Sequence, residues 1–125
     1  TKAKAQLDGF EVYNDLTAKA DEKVKLVFVR DIDEREQTEL DKAWIEEWVE
    51  EQGIASRLRV SIDVWDRNTE TLVIHGFDSG ASADESRNLM KESNPHLLTS
   101  KNIVLLASDY RNALIHKRLD KLGKN

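Results

Sequence analysis

Residues 57–78 constrain this chain more than any other stretch. Leu58, Val60, Ile62 and Val64 alternate with Arg59, Ser61 and Asp63, and a period of two buries one face of a strand while wetting the other. Arg67-Asn68-Thr69 supplies a polar turn, and Thr71 to Ile74 is β-branched and apolar. The stretch therefore predicts a hairpin at the sheet centre. Strands joined this tightly are antiparallel, which excludes a parallel crossover between them.

The flanking segments supply the remaining elements. Lys23 to Arg30, with Val24, Leu26, Val27, Phe28 and Val29, is a nearly continuous apolar run and predicts a strand covered on most of both faces. Asp33-Glu34-Arg35-Glu36 has the spacing of a capping box. The helix it opens carries Leu40, Trp44 and Trp48 on one stripe, Glu46, Glu47, Glu50 and Glu51 on the other side, and Gly53 as a left-handed stop. After the hairpin, Ser79-Gly80-Ala81 reads as a loop, and Ser82-Ala83-Asp84-Glu85 as a second capping box opening a shorter helix that Asn94-Pro95 closes. Ile103 to Ala107 is the last strand, and Ser108-Asp109 caps a terminal helical stretch holding Tyr110, Ala113, Leu114, Leu119 and Leu122.

The order strand, helix, strand, strand, helix, strand with a tight central hairpin predicts an α+β fold, the ferredoxin-like split βαβ. It implies a four-stranded antiparallel sheet with helices on one face, plus a C-terminal helix. Residues 1–22 read as an extension, either a helix carrying Leu7, Phe10, Tyr13 and Leu16 or an edge strand over Phe10 to Tyr13. Residues 23–125 form the domain. Its start lacks methionine, and the reading is of a piece cut from a longer protein.

Composition narrows the function classes. A net charge of −5 argues against a broad, salt-driven grip on phosphate backbones, so nucleic acid is not an expected partner. With Cys 0 there is no disulfide framework, thiolate nucleophile or cysteine-based zinc site. No apolar run approaches the roughly 20 residues of a spanning helix, so direct membrane insertion by this stretch is not expected. An RNA-recognition domain shares the strand order, but the expected central strands, 24–30 and 70–76, offer only Phe28 for stacking.

The run from Leu58 through Val60-Ser61 to Asp66, then Leu72-Val73-Ile74 with Gly76-Phe77-Asp78, is followed by a small-residue helix start. Ile103 to Tyr110 with Leu114 and His116-Lys117-Arg118-Leu119 closes the chain. Over roughly residues 23–122 this pattern resembles the C-terminal domain of the tetratricopeptide-repeat lipoproteins of type IX secretion and gliding motility, the SprE/PorW group. The tryptophans Trp44, Trp48 and Trp65 have no match in that pattern. The resemblance implies a non-enzymatic, periplasmic or envelope-associated domain that docks to other proteins of a larger assembly, with no catalytic residue to carry over; the cytoplasm stays open as an alternative.

The residues carry little chemistry of their own. His75, His96 and His116 lack metal-ligand spacing, no G-x-S-x-G elbow surrounds Ser61, Ser79, Ser82 or Ser108, and no glycine-rich phosphate loop exists. Neither a catalytic residue, a cofactor nor a metal is expected. Asp31 and Asp33 stand just beyond the first strand, where an oxygen-ligated cation could sit, but Asp33 is accounted for as the helix cap. An enzyme would need Asp31 to converge with another ionisable group in a pocket.

The expected interaction face is Arg57, Arg59, Trp65 and His75. Trp65 falls on the strand phase opposite Val60 and Ile62, so it faces away from the helices unless the N-terminal segment covers it. The alternative ligand is peptidoglycan, bound as SPOR domains bind it, on a polar sheet face of Arg57, Arg59, Ser61, Asp63, Thr71 and His75.

Overall fold

The computed structural model describes residues 22–54, 57–118 and 120. The N-terminal helix or edge strand lies outside them. The elements are β1 (Val24–Asp31), α1 (Arg35–Glu51), β2 (Arg59–Val64), β3 (Thr69–Phe77), α2 (Gly80–Ser93), β4 (Asn102–Leu106) and α3 (Ala107–Ile115). The strands form one sheet in the order β2-β3-β1-β4, with every neighbouring pair antiparallel. This is the split βαβ arrangement, with the apolar strands β1 and β3 in the middle.

Both faces of the sheet are covered, which is why β1 and β3 carry no simple alternation. Leu26, Phe28, Leu72 and Ile74 pack under Ile45, Trp48 and Val49 of α1 and Ala83 and Met90 of α2. Val27, Val29 and Val73 pack on the opposite face with Trp65, Tyr110 and Ala113. The second cover is α3, which follows β4 without a loop and turns back across the sheet.

Gly76 lets β3 serve both layers. The pairing slips between Val24 and Lys25, so that Phe77 lies opposite Val24 while His75 lies opposite Lys25. The extra residue is Gly76 at φ +107, where a Cβ would stand 2.2 Å from the Arg57 carbonyl oxygen. The bulge moves Phe77 to the helix side, in the same core as Ile74.

Helix ends depart from expectation. Asp33 lies in a short 3₁₀ turn, Ile32–Glu34, and neither this turn nor α1 has a side-chain cap. The 3₁₀ turn absorbs the backbone change that the capping box was expected to make. α2 starts earlier than the second box implies: Ser79 is the N-cap, accepting from the Ser82 amide, and Gly80 and Ala81 belong to the first turn. α3 has Leu106 at its N-cap with no side-chain bond, and the Ser108 amide instead donates to the Glu22 carboxylate. It ends at Ile115, short of Leu119 and Leu122, which lie outside the described residues.

The stripe of α1 is also rotated from the expected one. Thr38, Asp41, Ile45, Trp48 and Val49 are buried, whereas Leu40 is 61% exposed. A buried polar end of the core explains the rotation: Arg30, at the end of β1, pairs with Asp41 Oδ2 at 2.8 Å and donates to Ser100 Oγ at 3.0 Å. Satisfying that ionic pair turns the first half of α1 toward Asp41 and leaves Leu40 outside.

Candidate functional site

The outer sheet face, opposite α1 and α2, carries a connected polar network. The Trp65 indole N–H donates to Thr71 Oγ1 at 2.9 Å. Thr71 Oγ1 lies 2.7 Å from the Tyr110 hydroxyl, which donates to Asp63 Oδ2 at 2.7 Å. The Trp65 and Tyr110 rings meet edge to face, centroids 5.8 Å apart. Trp65 is 2% exposed, so the expectation of an outward tryptophan is corrected. The side chain points away from α1 and α2 as the alternation predicts, but α3 occupies the face it points to. Burial above all, and the Asp63 carboxylate, raise the Tyr110 phenol above its ordinary range.

Beside this network, His75 bridges two strands. Lys25 Nζ contacts His75 Nδ1 at 2.5 Å, and Ser61 Oγ lies 2.7 Å from His75 Nε2. Burial, then the charges of Lys25 and Arg59, lower the imidazole to about 4. The ring is therefore neutral near pH 7. Burial and Arg59 lower the Lys25 ammonium as well.

The pair Ser61–His75 has the separation of a nucleophile and its base, yet the third group has the wrong character. A Lys25 ammonium donating to Nδ1 leaves the ring proton on Nε2, facing Ser61 Oγ, where a general base needs a lone pair. The arrangement cross-links β1, β3 and β2. His75, only 9% exposed, and the buried Thr71 leave the expected polar sheet face and the expected interaction face. Nothing in the sequence marks Lys25 or Tyr110 for this network; the spacing of Tyr110, Ala113 and Leu114 signals a helix face, without saying which sheet face it meets.

Arg57 and Arg59 stay at the surface. Arg57 Nη1 reaches Asp78 Oδ2 at 3.4 Å, and Lys23 pairs with the same carboxylate. Arg59 opens β2, the outermost strand on its side of the sheet. The Trp65 amide donates to the Thr69 carbonyl at 2.9 Å, which marks Trp65 and Thr69 as a bonded pair. Alternation then puts Asp63, Ser61 and Arg59 in bonded pairs with β3 and turns the N–H and C=O of Val60, Ile62 and Val64 outward. Val64, 51% exposed, ends that row.

A cleft of about 850 Å³ lies at the far end of β1, lined by Asp31, Asp33, Glu34, Glu36, His96 and Lys101 among others. It does gather ionisable groups around Asp31. Among the described residues, however, no three acidic or histidine side chains are placed to hold a metal ion. Its four carboxylates share the lining with Arg30, Lys101, His96, Thr99 and Ser100.

No protein-family model matches the chain, and neither the curated proteins nor the solved structures return a match. No helix among the described residues is long and apolar enough to cross a membrane.

Proposed function

We propose that this domain is a non-enzymatic protein-interaction module that docks by strand addition at β2. The observation that supports the reading is the β2 edge, which no strand among the described residues pairs. It is a six-residue strand with no proline or bulge, and its two charges, Arg59 and Asp63, have opposite sign and lie on one face. Its outward backbone groups supply affinity, and the side chains on either face supply selectivity. The setting we infer is the one the sequence resemblance implies, an envelope assembly of the secretion or gliding-motility type, in which the domain contacts other proteins.

Val60→Pro tests the reading. Proline there deletes an outward N–H while leaving the bonded pairs with β3 intact. The variant is expected to keep its circular dichroism spectrum and to lose at least tenfold in capture of its assembly partners. Unchanged capture by a folded variant overturns strand addition at this edge.

A further inference from the structure

The composition of β2 names one occupant for its edge. Outward groups on Val60, Ile62 and Val64 require an added antiparallel strand to bond to these even-numbered positions. When the added strand is β2 of a second copy, the register that satisfies this about a twofold axis at Ser61 sets Val60 opposite Ile62 and Leu58 opposite Val64. On the other face the same register sets Arg59 opposite Asp63, twice by symmetry. A slip of two residues either way brings Arg59 against Ser61 or Trp65 and loses both Arg59–Asp63 pairs, and the first of these slips draws on Arg57, which Asp78 already holds, to face Asp63 instead. The edge is thus complementary to itself in charge and in apolar pattern.

Two further features agree. Val64 would be covered by Leu58 of the second copy, removing one of the large exposed apolar side chains. Leu40, also exposed, lies five residues beyond Arg35, whose guanidinium holds Glu70, the β3 partner of Val64. We infer that two copies of this chain pair β2 to β2 about Ser61, joining their sheets into one of eight strands; this rests on the reading of β2 as a docking edge.

The absence of native cysteine makes the test direct. Residue 61 would face its own copy at a non-bonded pair, where opposed Cα atoms approach to about 4.5 Å, within disulfide range. Ser61→Cys is expected to form a disulfide dimer under mild oxidation, at least tenfold faster than a control Thr99→Cys. Sedimentation of the unmodified chain is expected to show a concentration-dependent dimer. Arg59→Asp weakens it about tenfold, and high salt weakens the unmodified dimer in the same sense.

Equal oxidation rates, or a chain that stays monomeric at every concentration, overturn the inference. If the thiol of monomeric Ser61→Cys then resists a small alkylating reagent, another part of the same chain occupies the edge. If it reacts freely, the edge awaits a foreign strand. In that last case loss of partner capture by Val60→Pro still upholds strand addition, so the two readings fail separately.

Discussion

Tyr110 on α3 donates its phenolic proton to Asp63 on β2 at 2.7 Å, tying the C-terminal helix to the outermost strand of the sheet. Tyr110→Phe removes this bond and leaves Thr71 and Asp63 short of a partner, which costs about 1–2 kcal/mol. Urea denaturation at neutral pH measures it. Because the folded phenol is raised above its ordinary value of 10.0, the folded state resists ionisation that the unfolded chain accepts. The stability this represents is whole below pH 10 and is lost as pH climbs above it. Tyr110→Phe flattens that alkaline decline.

The His75 imidazole behaves in the opposite sense. Its folded value of about 4 lies below the unfolded 6.5, so the unfolded chain binds a proton first as the medium is acidified. Stability present above pH 6.5 is therefore lost as pH falls toward 4, by up to roughly 3 kcal/mol. Denaturation midpoints across this window record the slope, and His75→Gln removes it. An NMR titration of the His75 ring that finds its midpoint near 6.5 would refute the assignment.

Gly76→Ala places a methyl group against the Arg57 carbonyl oxygen at a positive φ. Backbone strain alone costs about 1–3 kcal/mol, and the clash adds to it. A melting temperature lower by about 10 °C or more is expected, since 1 kcal/mol shifts a domain of this size by roughly 4 °C.

Arg30 and Asp41 are both almost wholly buried, at 5% and 4% side-chain exposure. Arg30→Met strands the Asp41 carboxylate in the core and costs about 3–5 kcal/mol. The double variant Arg30→Met, Asp41→Leu is expected to recover most of that loss. Chemical denaturation of the single and double variants gives the coupling.

The order of elements, the β2–β3 hairpin and the two apolar middle strands were legible in the chain, because strand period and helix period are local properties of consecutive residues. The expected place of the whole hairpin at the sheet centre is corrected, since only β3 is central and β2 lies at the edge. The phase of Trp65 was legible for the same reason: it follows from counting along one strand. The fate of that side chain was not. Which layer covers a sheet face depends on where a distant helix returns, and α3 brings Tyr110 back across a separation of 47 residues to meet Asp63. The buried stripe of α1 failed for a related reason. Apolar spacing points to Leu40, but the burial of Asp41 against Arg30 set the helix rotation, and no local pattern records an ion pair formed between a strand and a helix.

The sequence alone thus determined the alternation that makes β2 a strand with Arg59 and Asp63 on one side and Val60 and Ile62 on the other. Only the tertiary structure decided that Trp65, beside this strand, is sealed inside. Neighbours in space are chosen by the packing of whole layers, and that choice minimises exposed apolar surface over the whole domain, beyond the reach of any one segment.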